Sequence, residues 1–412
     1  MNFVFVSLQR INTGRESTSI GLAKALSKEH AVLYVNPPID RRTYLSKQGD
    51  VYTKRHIQDI RAGKPGLSEL SANLWILNPE KVIESVNWIP STPIFSLFNK
   101  FNNRTFASSI KKAVGELKFE SFVLINDKDM FRSFYLKELL KPSIAVYLDR
   151  DYTLGFDYWK RHGNSLEPKL MKKQDLVVCN SLDFTKRALK YNPASFYIGN
   201  GANLEIFDHE KTWAVPDDLG KGERPLIGYI GALNSMRIDI KLIEKIAMKR
   251  KDWDFLMIGE EDHEFRMSAL HNMENIRFLP KKHTNDIPAY VKHFDVCINP
   301  QLINEITIGN FPMKIIEYLA MGRPVVATET NTMREVFSEV TYLSKDTEGY
   351  IAAIERALAE DTKEIQKLRS LFARRYSWKA LSSILLSHIE EFAKNESRTL
   401  NHDLVVKLAE RR

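Results

Sequence analysis

Short apolar runs separated by segments of helical period recur along almost the whole chain. The run "NFVFVSL" is followed by "STSIGLAKALSKEH" and then by "AVLYVNPP". A strand, a helix opened by Ser/Thr caps and a second strand make a βαβ unit. The same grammar continues through "SFVLIND", "SIAVYLD", "DLVVCNS" and "SFYIGNG", whose β-rich, non-alternating character predicts parallel strands buried on both faces. After Ile198 the stretch "GNGANLEIFDHEKTWAVPDDLGKGERP" is rich in Gly, Pro and charge and has no period, which predicts an inter-domain connection over residues 199–225. Alternation then restarts with "LIGYIGALN", a helix from about Asp239 to Lys251, "DFLMIGEE", "NIRFLPKK", a helix around "DIPAYVKHF", then "DVCINPQ", "PVVAT" and "VTYLS". The expectation is an α/β protein of two doubly wound, Rossmann-like domains, one over residues 1–198 and one over 226–375. A helical segment over 376–412 is expected to cross back toward the first domain and to end in a charged tail.

Composition narrows the class of protein without naming a partner. At 412 residues, 43% of them hydrophobic and 27% charged, the chain has room for two cores and the makeup of a water-soluble protein. Its apolar runs are far shorter than the roughly 18 residues needed to span a bilayer. The opening "MNFVFVSLQR" lacks a basic segment followed by a long apolar one, so a cytoplasmic location is expected. The balance of 60 Lys and Arg against 52 Asp and Glu gives +8, which permits an anionic ligand, nucleic acid or an acidic membrane surface but selects none of them, and no nucleic-acid partner is expected. Cys179 and Cys297 both sit in apolar runs, where a cysteine behaves as a small hydrophobe rather than a disulfide partner or metal ligand. The ten histidines are scattered, and no metal site is expected.

Four stretches could carry chemistry. In "NFPMKIIEYLAMGRPVVAT", Asn310 reads as a helix N-cap and Pro312 as a first-turn residue, so a helix is expected from about Phe311. Its positive end would face the carboxyl edge of the second sheet, with Lys314 and Glu317 sharing one face and Ile315, Ile316 and Leu319 the buried one. In "LIGYIGALNSMRID", Gly231 lets backbone approach a diphosphate, and Arg237, placed at the start of the next helix, can neutralise it. In "VYLDRDYTLGF", an apolar strand ends in Asp149, Arg150 and Asp151. Both carboxylates would project from the carboxyl edge of the first sheet, where a carboxylate can serve as a base; the competing reading is a loop ion-pair network of Asp149, Arg150 and Asp151. The N-terminal loop "SLQRINTGRESTS" has two arginines, Arg10 among them, Gly14 for an unusual backbone angle and Ser/Thr caps for the next helix, and it lacks the Gly-x-x-x-x-Gly-Lys-Ser/Thr of a phosphate-binding NTPase loop. The aromatics of "SVNWIPSTPIFSLFNKFNNRTF" read as core, although basic residues beside Trp88, Phe98 and Phe101 would also suit peripheral contact with an anionic membrane.

The ordered string Pro312-x-Lys314-x-x-Glu317-Tyr318-Leu319-Ala320-x-Gly322-x-Pro324-Val325-Val326 resembles the donor-binding segment of GT-B glycosyltransferases, in particular family 4-like enzymes of bacterial teichuronic acid and exopolysaccharide synthesis. The resemblance extends from "SLQRINT" and "LYVNPP" through "DYW" and "LVVCNS". It implies a GT-B fold, two facing domains with an inter-domain cleft, and transfer of a sugar from a nucleotide sugar, UDP- or GDP-linked, to a glycan or lipid-linked acceptor. The resemblance places ribose binding on Glu317 and phosphate binding on Lys314, with Gly231, Arg237 and the helix start near Asn310 completing a donor site that uses no further cofactor; it also implies a cleft loop with Arg10 and Gly14 and, for an inverting reaction, an acceptor base at Asp151 first and Asp149 second. The chain departs from that family at Ala232, where an arginine is common, and at Asn310, which stands where the first of two glutamates would be. Two other readings share the nucleotide site: a GT-B sugar-nucleotide epimerase, and a non-catalytic module that binds a nucleotide sugar or glycan.

Overall fold

The protein is described by a computed structural model covering residues 1–409 apart from 12, 14, 15, 47, 48, 221 and 308, with side chains through residue 395. Its chain divides into two compact units, Met1–Ile198 with Leu381–Arg412, and Gly199–Ala380. The helix Trp378–Ala409 therefore begins in the second unit and continues in the first.

The first unit is built on eight strands: β1 (Asn2–Ser7), β2 (Ala31–Val35), β3 (Leu67–Ser71), β4 (Leu74–Leu77), β5 (Val123–Asp127), β6 (Ile144–Asp149), β7 (Leu176–Cys179) and β8 (Ser195–Tyr197). They lie in the order β3-β4-β2-β1-β5-β6-β7-β8. Every pairing is parallel except β3 with β4. That antiparallel hairpin was not anticipated from the sequence. It turns at Asn73, held at φ +60°, a conformation asparagine tolerates better than most residues. Val4, Val6, Leu33, Val35 and Leu124 pack one sheet face against Phe106 and Ile110 of the helix Thr92–Glu116.

Six strands make the second sheet: β9 (Leu226–Ile230), β10 (Asp254–Ile258), β11 (Ile276–Leu279), β12 (Val296–Asn299), β13 (Val325–Thr328) and β14 (Tyr342–Ser344), all parallel, in the order β11-β10-β9-β12-β13-β14. Strand order reverses between β9 and β12, as it does between β1 and β5 in the first sheet. In such folds the crevice outside the carboxyl ends of the strands at this reversal is where ligands bind.

Two local differences from the sequence reading have physical causes. The segment 199–225 is not a free connection but part of the second unit: Ala202 N–H donates to Tyr376 O at 3.0 Å, Arg277 donates to Leu219 O at 2.7 Å, and the Tyr290 hydroxyl donates to Asp218 at 2.6 Å. Side-chain anchors from distant elements replace the periodicity that this segment lacks. The aromatics expected in the core are divided. Phe95 is buried, whereas Trp88, Phe98 and Phe101, with Ile94 and Leu97, are exposed.

Candidate nucleotide site and acceptor-side residues

The second unit's reversal point is shaped by two glycines. Gly231 follows β9 at φ +149° and Gly259 follows β10 at φ +159°, and a Cβ on Gly259 would lie 1.8 Å from the Gly231 carbonyl oxygen. Adjacent strand ends can touch backbone to backbone only with glycine at 259, which the sequence reading did not single out. A Cβ on Gly231 would stand 2.7 Å from the Lys314 Nζ. The missing side chain is therefore what admits the lysine ammonium to the end of β9.

Lys314 donates to the Tyr229 hydroxyl and sits over the Tyr229 ring at 3.9 Å from its centroid. The Tyr229 hydroxyl in turn donates to Ala232 O at 3.1 Å. Burial depresses the lysine pKa to about 7; Glu317 opposes the shift and Arg237 reinforces it. Tyr318, buried on the same helix, accepts from Ile230 N–H at 2.8 Å and donates to Ile230 O at 3.2 Å. Strand β12 reaches only Ile227 and Gly228 of β9, so this hydroxyl satisfies backbone groups that the ladder leaves open beyond them. Neither tyrosine was identified from sequence. The Tyr318 signal lay inside the matched string, but its partner is the backbone of another strand.

The helix itself spans Met313–Ala320 with Pro312 at its cap position and no side-chain cap bond. Asn310 is thus not the N-cap. With its amide oxygen turned toward Arg237 it accepts from Nη1 at 3.3 Å and donates to Ile306 O at 3.3 Å. Arg237 does not start a helix either, because the helix runs Ile240–Lys249 from an Asp239 cap. It lies in the preceding turn, exposed, and Leu302 N–H donates to its carbonyl at 2.8 Å while Asn304 Nδ2 donates to Met236 O at 2.8 Å. These bonds fasten the 234–238 turn to the loop after β12. Gly231, Arg237, Asn310 and Lys314 consequently gather around one helix start, with Glu317 one turn further along. Two cations, the helix's positive end and a glycine-lined strand edge suit a diphosphate.

The first unit separates the two aspartates assigned to acceptor chemistry. Asp149 is fully buried, with one carboxylate oxygen on Lys128 and the other on Arg187 at 2.6 Å. Lys128 also bonds Glu167 at 2.6 Å, and Glu167 accepts from the Tyr147 hydroxyl at 2.7 Å. Burial would raise the Asp149 pKa, but the two cations outweigh it and hold it below the usual carboxylate range. An enclosed, doubly paired carboxylate has no route to an acceptor hydroxyl, so Asp149 is withdrawn as a candidate base. Asp151 is different. It follows β6 at φ +56°, its side chain is 46% exposed, and it accepts from Arg150 Nη1 at 2.9 Å. Arg150 is anchored on Asp127 through Nε at 2.5 Å and Nη2 at 2.9 Å, and Asp127 also accepts from Ser7 Oγ. A left-handed aspartate held by a buried arginine is the kind of strained residue that concentrates at functional sites. Arg10 bonds His56 and Pro37, while Gly14 lies outside the described residues.

Comparison with known proteins agrees with this architecture. The sequence profile of the family described as Glycosyl transferases group 1 matches residues 224–360, the segment that holds the glycine edge and the Lys314 helix. A protein of Bacillus subtilis (strain 168) described as a teichuronic acid biosynthesis glycosyltransferase, TuaH, is 26% identical over 229 residues, 53% of this chain and 57% of TuaH. The chain spans about half the length of the curated relatives it matches. Among solved structures, sucrose-phosphate synthase from Thermosynechococcus elongatus superposes with a TM-score of 0.66 at 14% identity over 96% of this chain and 99% of that one. Anabaena HepE in complex with UDP gives 0.64 at 14% identity over 95% of this chain and 100% of that one. The chain has the GT-B fold.

Proposed function

We propose that the chain is a glycosyltransferase that moves a sugar from a UDP- or GDP-linked donor to a hydroxyl of a glycan or lipid-linked saccharide in bacterial cell-surface polysaccharide synthesis. The observation that carries this reading is the gathering of Gly231, Arg237, Asn310 and Lys314 at the strand-order reversal of the second sheet. The solved HepE complexes with UDP and with UDP-glucose, on the same fold, favour a uridine donor. In this account Arg237, Lys314 and the helix start stabilise the departing diphosphate, and Glu317 accepts hydrogen bonds from the ribose. The acceptor oxygen bonds the anomeric carbon as the bond to the diphosphate breaks, and Asp151 takes the hydroxyl proton.

Work at an anionic membrane surface, where a lipid-linked acceptor would reside, belongs to the same proposal. Ile94, Leu97, Phe98 and Phe101 recur at helical spacing on the exposed side of Thr92–Glu116, next to exposed Trp88. That helix carries Lys100, Arg104, Lys111 and Lys112 and no acid before Glu116, its last residue. An apolar stripe on a helix whose charges are cationic up to its last residue suits the interface of an anionic bilayer. Among the described residues no helix is long and apolar enough to cross a membrane.

The test of the donor assignment is thermal stabilisation by a panel of nucleoside diphosphates and nucleotide sugars. One nucleotude class should raise the melting temperature of wild type and not that of Glu317→Ala. Stabilisation by none of them would remove the donor site.

A further inference from the structure

The first unit holds a cavity of about 380 Å³ that the donor site does not use. Its lining includes Arg10, Ile11, His56 and Ile76 inside and Tyr52 and Arg55 toward solvent. This volume lies within the range of small-ligand sites, roughly 300–1,000 Å³. The side chain that gives it a chemical character is Arg10.

His56 fixes that arginine. The His56 ring is buried, and its Nε2 donates to Pro79 O at 2.9 Å. A carbonyl can only accept, so Nδ1 is left as the acceptor for Arg10 Nη1, at 3.2 Å. Burial, and then Arg10 itself, push the His56 pKa down to about 4, so no proton competes for that nitrogen at neutral pH. The other Arg10 contact is Nη2 to Pro37 O at 3.4 Å. Both partners are neutral, and a guanidinium has five N–H donors to place.

The carboxylates lining the cavity are engaged elsewhere. Asp59 pairs with Lys64 at 2.9 Å, and Glu80 accepts from Gly66 N–H at 3.0 Å and from Lys112 at 3.1 Å. Asp50, close enough to favour the Arg10 charge, caps the helix Val51–Arg61 by accepting from Thr53 N–H at 2.7 Å. Among the described residues no carboxylate bonds Arg10. Asp50 acts on Arg10 only through space, so a half-buried guanidinium with no carboxylate in direct contact is left able to take up an anion that completes it. The fork is aimed and held by His56, and Arg55, together with the Asp59-paired Lys64, adds positive charge to the lining.

We infer that this cavity binds the oxyanion of a charged saccharide, a carboxylate or a phosphate monoester, with Arg10 as its principal partner. The inference rests on the glycosyltransferase reading in one respect: it makes the acceptor an acidic sugar or a sugar phosphate. Neutral saccharides would leave the Arg10 donors unmatched, and a planar fork suits either oxyanion.

The experiment is ligand-observed NMR titration of the full chain with glucuronate, glucose 1-phosphate, glucose and inorganic phosphate, with UDP titrated into the same preparations. Glucuronate or glucose 1-phosphate should bind about tenfold or more tightly than glucose, as a hydrogen bond to a charged group implies. Arg10→Gln should erase that preference while leaving UDP affinity unchanged. If Arg10→Gln fails to fold, Arg55→Gln, which alters an exposed side chain, should reduce the preference in a protein of wild-type melting temperature. Equal binding of glucose and glucuronate, or a charge preference that survives the substitution, overturns the inference. Inorganic phosphate binding as tightly as glucose 1-phosphate would make this a free-phosphate site and overturns the saccharide assignment. UDP binding without any charged-sugar binding refutes this inference and spares the donor site; the converse refutes the donor site alone.

Discussion

Lys314 connects the proposed donor site to pH in a way that can be worked out in advance. Its ammonium lies at Gly231 against the Tyr229 ring, and burial lowers its pKa from 10.5 to about 7. At 1.36 kcal/mol per pH unit, the disfavoured charge corresponds to at most roughly 5 kcal/mol, which a bound diphosphate can relieve. In the ligand-free protein the unfolded chain holds this proton more tightly between about pH 7 and 10.5, so this group makes stability rise with pH through that window. Nucleotide binding should reverse the depression. At pH 8 about 0.9 proton should be taken up per nucleotide bound, and at pH 6, where the lysine is already charged, about 0.1. Affinity should fall about fivefold from pH 7 to 8, a range in which a terminal phosphate with a second pKa near 6 is already ionised. Isothermal titration calorimetry of UDP in buffers of different ionisation enthalpy measures the uptake directly. Lys314→Met should abolish it and weaken binding. No uptake by wild type at pH 8, or the same uptake by Lys314→Met, would refute the reasoning.

Three further outcomes follow from the same contacts. Asp151→Asn should lower the transfer rate by about 10²-fold or more with nucleotide affinity intact, the scale of a lost general base; an unchanged rate would mean the proton goes to the departing diphosphate instead. Lys128→Met leaves buried Asp149 and Glu167 with Arg187 as the one cation between them, so it should cost about 3 kcal/mol and lower the first unit's melting temperature by roughly 10 °C in calorimetry. Replacing exposed Phe98 and Phe101 together by serine should weaken binding to vesicles containing anionic lipid, read by co-sedimentation, without lowering the melting temperature; equal binding of the variant would assign the helix face elsewhere.

Much of the architecture was legible because a parallel strand buried on both faces advertises itself as an uninterrupted apolar run, and nearly every such run became a strand. The β3–β4 hairpin was missed because "LSELS" lies at a sheet edge, largely exposed, and has no apolar signature. Helix starts were misplaced by two or three residues. Asn310 has the chemistry of a cap, yet its amide is drawn to Arg237 and the Ile306 carbonyl, and the helix begins only after Pro312. The candidate donor residues could be proposed because they fall within two short stretches, whereas the groups that hold them could not. Tyr229 and Gly259 are brought together by sheet pairing and Tyr318 by its helix packing on β9, and Lys128, Glu167 and Arg187 come to the Asp149 cluster from three separate segments. The same limit explains the aromatics of residues 88–101. Sequence shows their spacing, but only the packing of Phe95, Phe106 and Ile110 shows which side of the helix is left for another partner.

The central claim is glycosyl transfer, and the most direct measurement is mass spectrometry of products after incubation with the nucleotide sugar that stabilises the protein and a lipid-linked or glycan acceptor. The account predicts an acceptor heavier by one sugar residue, nucleoside diphosphate released in equal amount, and both lost in Lys314→Met. An unchanged acceptor, with the donor sugar recovered as its epimer or the nucleotide sugar bound but intact, would contradict it.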